Sequence, residues 1–405
     1  MLKGGGAFRA LRYPDFLWFW SSYFISSVGG WMQNIGQAWL LYQITDSPLY
    51  LGLFSLLRTV LLFCFFLLGG VMADRWDRRV VMLWIQVVAL LSAFILALLV
   101  SLDAIRIWHI FVFGAITQTA WAFEQPVRQS LIPRLVSRED LVNALALNSI
   151  SWQGAGLLGP ALLGVLVGPL GIDGCFYINV ASYFANIVAL WRIRIPSQQA
   201  QQEKMRVTDS LLDGLRYIRR EKLILTLLIA SSCVGIFGRS YIILLPVFAK
   251  DVLQVGASGL GFISAAPGLG TILGAIVLAV LGRGKVERRL LVSLLCGAAA
   301  ALFVFAASDT LAVAFAMLVV VGALSTVFDT LLHTLIQLTV TEGYRGRVSG
   351  VYGLSAGGMR EFGGMQAGFL AEWAGAPFAI EAGAAVVLLV ALFFLAPKLK
   401  KMAGT

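Results

Sequence analysis

The chain has 405 residues, of which 59% are apolar and only 13% charged, against roughly 25% charged in a soluble domain. So few charges cannot clothe a water-facing surface of this size. That excludes a cytosolic enzyme, a secreted disulfide scaffold, a disordered chain and a nucleic-acid binder, whatever the net charge of +10 suggests.

Taken in chain order, Lys3, Arg9 and Arg12 precede an apolar stretch too long for a cleavable signal peptide, so the first span is expected to stay as an anchor. About 20 apolar residues cross a bilayer core, and this ruler predicts twelve spans: 16–41, 48–73, 80–102, 106–127, 143–168, 174–195, 222–249, 257–282, 288–308, 310–338, 348–371 and 376–396. The runs are too long for barrel strands of about 10 alternating residues, so the predicted fold is an all-α membrane protein. Cys64, Cys175, Cys233 and Cys296 lie in apolar runs without a CxxC pair and are expected to be small buried hydrophobes, with no metal site.

One hydrophilic stretch interrupts the spans. "PSQQAQQEKMRVTD" has the composition of a linker, and "DSLLDGLRYIRREK" places Leu211, Leu212, Leu215 and Ile218 at helical spacing beside Arg216, Arg219 and Arg220. An amphipathic helix lying on the cytoplasmic face is expected there. The predicted organisation is a six-helix bundle over 1–195, a cytoplasmic linker over 196–221, and a second six-helix bundle over 222–405.

Lys and Arg orient the spans. With the N-terminus in the cytoplasm, the opposite side holds only Arg106 and Lys250, and Arg58, Arg239 and Arg360 fall inside spans; every other Lys and Arg lies in a cytoplasmic segment. This is the positive-inside distribution, and it places both termini in the cytoplasm. The halves also echo each other. "SPLYLGLFS" and "GASGLGFIS" open spans two and eight, "DRR" and "ERR" close the loops that follow, and Glu124 in span four matches Asp329 in span ten at nearly constant separation. Duplicated halves are a transporter signature.

The loop after span two reads "GGVMADRWDRR". Gly70, Asp74, Arg75, Asp77, Arg78 and Arg79 resemble the G-x-x-x-D-R-x-G-R-R signature of the major facilitator superfamily, with Asp77 in the place of its Gly. The stretches "WMQNIGQAWLLYQITDSPLYLGL", "EQPVRQSLIPRLVSREDLVNALALNS", "LLPVFAKDVL" and "YRGRVSGVYGL" are similar to the drug, macrolide and siderophore exporter branch, which includes enterobactin exporters. The resemblance covers essentially the whole chain. It implies two pseudo-symmetric six-helix bundles, and it implies that Asp74 caps span eleven as a gate with Arg128 as candidate partner. Gly159, Pro160 and Gly164 in "GAGLLGPALLG" partly match the antiporter motif of superfamily exporters, with Ala155 where that motif has Gly; tight helix packing explains them equally.

A charge at mid-membrane costs roughly 2.5–3.5 kcal/mol on insertion scales, so buried charges mark function. Asp329 with His333 one turn on, Glu361 beside Arg360, and Glu124 one turn from Arg128 are the candidate proton-coupling groups; Asp329–His333 and Glu124–Arg128 can also neutralise one another locally. Arg58, Arg239 and Arg360 are candidate cavity charges, Arg239 for an anionic substrate group or as counter-ion to Glu361. Many superfamily exporters carry an acid in span one, where this chain has Gly29-Gly30. Trp31, Trp39, Trp121, Phe123, Trp152 and Tyr241 are candidates to line a substrate cavity; packing is the competing reading.

These features predict a secondary transporter of the bacterial inner membrane, multi-pass and monomeric. It exports amphiphilic drugs, macrolides, siderophores or lipid-like molecules by alternating access in exchange for protons. Its expected partners are the substrate, protons and the bilayer, with no cofactor, metal or nucleic acid. No GxxxxGK[ST] supports direct ATP drive. A uniporter or proton-coupled importer on the same fold is the alternative. A membrane-embedded enzyme or a receptor is remote, because His109 and His333 are the only histidines and neither belongs to a catalytic constellation.

Overall fold

The computed structural model describes residues 8–75, 77–193, 207–281 and 288–395, without the side chains of 66–75, 207–212, 214, 281, 288, 354 and 393–395. The described residues are nearly all helical and form no strand. In order they are α1 (Pro14–Thr45), α2 (Pro48–Arg75), α3 (Arg78–Ser101), α4 (Ile107–Leu135), α5 (Leu141–Arg192), α6 (Val207–Arg220), α7 (Lys222–Cys233), α8 (Tyr241–Val247), α9 (Gly256–Leu281), α10 (Arg288–Ala306), α11 (Leu311–Thr339), α12 (Arg345–Gly353), α13 (Met359–Ala374) and α14 (Ala376–Leu389). Three interruptions explain how these make twelve spans. α5 is two spans fused end to end, turned at Gly171, whose φ of 72° only glycine adopts without strain. α7 and α8 form one span joined by a π-turn over Val234–Gly238, and α12 and α13 another, joined by a π-turn over Leu354–Gly358. Several helices outrun the predicted spans, α4 reaching Leu135 through Pro126 and Pro133; hydropathy stops at the first charge, whereas the backbone ladder does not.

Packing divides the chain into two compact units. Unit 1 comprises 1–45, 57–200 and 257–265; unit 2 comprises 46–56, 201–256 and 266–405. In unit 1, α1 lies along both limbs of α5. Small residues allow the approach: a Cβ on Gly159 would meet Trp31 Cβ at 2.6 Å and the Val28 carbonyl at 2.7 Å. A core of Phe16, Phe19, Met82, Leu131, Ile132 and Leu147 fills one end. In unit 2, α10 packs against α11 and α14, and Phe248 stacks on Phe305 with centroids 4.6 Å apart.

Two expectations change. Cys175 is buried, but Cys64 is exposed on α2, where lipid rather than protein covers apolar side chains. α6 forms as expected, yet it is docked rather than lying free: Ile218 is buried, Tyr217 stacks on Tyr344 at 4.2 Å, and the Tyr217 hydroxyl accepts from the Thr341 N–H, while Leu215 stays exposed. The linker before it, and the loop at 282–287, lie outside the described residues.

Candidate functional site

In unit 1, α1 and α4 run antiparallel and present polar and aromatic side chains in matched layers, one helical turn apart. Arg58 of α2 donates from Nε to Gln118 Oε1 at 3.0 Å and from a terminal nitrogen to Asn34 Oδ1. One turn along α1 and α4 stand Trp31 and Trp121, and Trp152 of α5 touches both, with centroids 5.5 and 5.9 Å away. The next layer holds Glu124, in electrostatic reach of Arg128, Tyr23 and Tyr183 and beside the fully buried Gln86 amide. The last layer centres on Arg128, 2% exposed, which donates to Asn148 Oδ1 at 2.7 Å and Gln125 Oε1 at 2.6 Å and lies 3.8 Å above the Tyr23 ring. The spacings are those of one helix face: Asn34, Trp31, Ser27 (which bonds Tyr23) and Tyr23 on α1 against Gln118, Trp121, Glu124 and Arg128 on α4, with Trp152 and Asn148 on α5. Phe123 sits off this face against Phe65, at 5.7 Å.

Behind the layers, Asn179 donates to Gln33 Oε1 at 2.6 Å and Ser22 donates to Asn186 Oδ1 at 3.0 Å. Gly29 faces Asn179 and Ser182 so closely that a Cβ would come 2.6 Å from Ser182 Oγ. Packing of α1 on α5 therefore leaves no room for a side chain at Gly29, whereas a Cβ on Gly30 would meet only the Tyr183 hydroxyl, at 4.0 Å.

In unit 2 the charges are built on the two π-turns, where widened backbone turns free carbonyls and often mark functional sites. Arg239 directly follows the first π-turn. It pairs with Asp329 of α11 and donates to the Ala356 carbonyl, inside the second π-turn, at 2.9 Å. Tyr352 donates to the Asp329 carbonyl at 3.1 Å and stacks on His333 with centroids 4.7 Å apart. His333 meets Gln337, which donates in turn to Ser349, and a cleft lined by His333, Thr334, Gln337, Leu338 and Arg345 opens beside them. Arg360, just past the second π-turn, pairs with Glu361 at 2.9 Å, and Ser55 donates to the Glu361 carbonyl at 2.6 Å.

These pairings differ from the expected ones. Asp329 takes its cation from the α7–α8 span rather than from His333, whose ring stacks on Tyr352 and meets Gln337 instead. Arg239 therefore serves Asp329 and not Glu361. Trp39 and Tyr241 are buried in packing, Tyr241 against Phe305, and do not face open space.

Within the loop motif, the side chains of Gly70, Asp74 and Arg75 lie outside the described residues. The rest of the motif caps helices. Asp77 accepts from the N–H groups of Arg79 and Val80 at the start of α3, and Arg79 donates to the Leu190 carbonyl at 3.0 Å and to that of Trp191 at the end of α5. Arg78 stands between them at the first position of α3. The expected Asp74–Arg128 pairing falls on a side chain outside the described residues; Arg128 itself donates to Asn148 and Gln125. Gly159, Pro160 and Gly164 form a packing surface: a Cβ on Gly164 would meet the Ser258 carbonyl at 2.8 Å, and one on Gly261 would meet the Pro160 carbonyl at 2.7 Å.

The transmembrane secretion effector family of the major facilitator superfamily matches residues 5–405. The chain belongs to it. The transporter is 25% identical to the staphyloferrin A transporter of Staphylococcus aureus, over 84% of this chain and 85% of that one, and 24% identical to the enterobactin exporter EntS of Escherichia coli, over 87% and 82%. Its fold matches a bacterial homologue of the human lysosomal transporter Spinster, in an inward-facing and unoccupied conformation, with a TM-score of 0.72 at 15% identity over 97% of each chain. The relatives are membrane transporters rather than enzymes.

Sequence reasoning singled out the charges of this transporter and missed the neutral polar groups that hold them. Asn34, Gln86, Gln118, Asn148 and Asn179 stand in apolar runs, and each is legible there as an amide that needs a partner in lipid. Tyr23, Tyr183 and Tyr352 carry no such signal, because tyrosine is ordinary in a span.

Proposed function

We propose that this transporter is a secondary exporter of the bacterial inner membrane, moving amphiphilic small molecules outward in exchange for protons. The observation that carries this reading is the placement of Arg239–Asp329 and Arg360–Glu361 inside membrane spans, each beside a π-turn. A guanidinium–carboxylate pair held within an apolar span opens when its acid takes a proton, and each π-turn gives the released side chain backbone carbonyls to turn to. One proton crossing 100 mV releases about 2.3 kcal/mol, enough for roughly a fifty-fold gradient of cargo. Glu124 beside Arg128 supplies a third acid, in unit 1, and His333 stands one turn from Asp329.

The relatives named as an enterobactin exporter and a staphyloferrin A transporter support a siderophore-like cargo; drugs, macrolides and lipid-like molecules are the wider class. The Lys and Arg distribution supports cytoplasmic termini. Residues 1–195 and 222–405 would be the alternating halves of a monomer, joined by 196–221, with Asp74 closing the gate.

Reconstituted proteoliposomes test the proposal. Outward flux of a candidate cargo is expected to rise with an imposed pH gradient, and Asp329→Asn or Glu361→Gln is expected to abolish that response while cargo binding stays measurable. Flux that ignores the gradient in the parent protein would remove proton exchange whatever the variants do.

A further inference from the structure

The first turns of α2 are fastened along α13 by a seam that ends on Glu361. Within the single helix α2, 48–56 packs with unit 2 and 57–75 with unit 1. Contacts between the first part and α13 run antiparallel, turn by turn. Glu372 accepts from Ser47 Oγ at 2.6 Å and from the Leu49 N–H at 3.3 Å, so it caps the start of α2 from another helix. A Cβ on Gly368 would meet the Pro48 carbonyl at 2.7 Å, and one on Gly52 would meet the Gly368 Cα and the Gly364 carbonyl at 3.2 Å. At the far end the buried Ser55 donates to the Glu361 carbonyl at 2.6 Å.

The chemistry changes along this seam. Its mouth is exposed and charged: beside Glu372, Asp46 pairs with Lys250 of the π-turn that follows α8. Its middle is glycine backbone. Its inner end is Glu361, 18% exposed and paired with Arg360. Glycine contacts let the backbones close tightly but bring few side chains that interlock. The charged groups at the mouth therefore set how readily the two helices part.

We propose that the α2–α13 seam is the outer gate to Glu361, and that Glu372 with the Asp46–Lys250 pair is its latch. While the latch holds, the contacts of Gly52, Gly364 and Gly368 shut the direct route from the mouth to the carboxylate. When Glu372 lets go of Ser47 and Leu49, and Asp46 lets go of Lys250, the first turns of α2 lift away and Glu361 meets water. The latch thus times the loading of Glu361 with a proton from outside, the step that exchange for an outward-moving cargo requires.

This inference rests on reading Glu361 as a proton-coupling acid and the mouth as the outer end, so access and flux are measured separately. A water-soluble carbodiimide with an amine is added outside sealed right-side-out vesicles, and modification of Glu361 is followed by peptide mass spectrometry. Glu372→Gln and Asp46→Asn are each expected to speed it about fivefold, the population shift that loss of one charge-assisted contact brings. Asp46 stands at a φ of 50°, which Asn adopts as readily as Asp, so that variant removes charge and keeps the turn. Asp46→Cys with Lys250→Cys, in a chain without its native cysteines, is joined by a short bifunctional thiosulfonate. That tether is expected to slow modification about fivefold, and its reduction to restore the rate. The tethered protein is its own control and carries the test where a latch variant does not fold. Rates that ignore both latch variants and tether, or a reagent that reaches Glu361 only from the opposite face, would overturn the inference, as would no modification of Glu361 in any protein. Gated modification beside gradient-driven flux that survives Glu361→Gln would leave the gate standing and remove Glu361 from proton coupling instead.

Discussion

Arg239 and Asp329 illustrate how a membrane tolerates charge. Neither side chain is fully enclosed, at 19% and 29% exposed, yet both sit in apolar spans. Each restores to the other what water would otherwise supply. Removing one partner leaves a charge without its counter-ion, at about 3–5 kcal/mol for a fully buried pair and less for a partly exposed one. Asp329→Asn is therefore expected to lower stability by about 1–3 kcal/mol, and the double change Arg239→Gln with Asp329→Asn to recover most of that loss. Unfolding followed in detergent checks this; a double variant weaker than the single one would mean the pair is not what Asp329 contributes. The sequence announces both residues as charges among apolar neighbours, but not their pairing. Asp329, His333, Glu361 and Arg239 offered several combinations, and only helix rotation decides which side chains meet.

At the level of elements, two features organise the spans: glycines where helices touch and π-turns where helices bend. Gly159 on α5 admits Trp31 and the Val28 carbonyl of α1, whereas Gly168, two turns further along the same helix, has nothing within 4 Å of where a Cβ would stand. Gly159→Ala is expected to cost about 1–3 kcal/mol by overpacking. Gly168→Ala is expected to be neutral or to gain up to about 1 kcal/mol from helix propensity. Thermal unfolding of the two variants side by side separates a contact glycine from an idle one, and equal effects would contradict the packing described. The glycine-rich stretch "GAGLLGPALLG" is plain in the sequence, as is the six-and-six count of spans. The π-turns at Val234–Gly238 and Leu354–Gly358 are not, since one extra residue in a turn leaves composition and hydropathy unchanged.

For the molecule as a whole, the distribution of Lys and Arg makes a prediction that no single contact makes. With Cys64, Cys175, Cys233 and Cys296 replaced by serine or alanine, single cysteines introduced as Lys3→Cys and Lys400→Cys are both expected to be labelled only from the cytoplasmic side of sealed vesicles. Labelling from opposite faces would break the even count of spans and the duplicated halves with it. Unit 1 and unit 2 each hold a span end that continues into the other along the chain, 257–265 and 46–56. That partition follows packing at Gly52 and Gly164 rather than chain order, and no pattern along the sequence marks it.

The sequence by itself determined that this protein lives in a bilayer, how many times it crosses and which residues carry charge inside. Transfer of apolar residues from water to lipid adds up locally, so a run of about 20 residues settles its own fate. What only the tertiary structure decided is which side chain faces which. Whether Trp121 lies beside Trp152, whether Arg58 stands over the indoles, and whether Asp329 meets Arg239 depend on the rotation and spacing of helices far apart in the chain. Those are set by close packing at glycine contacts and by the need of every polar group in lipid to find a partner, conditions that belong to pairs of helices and not to either sequence alone.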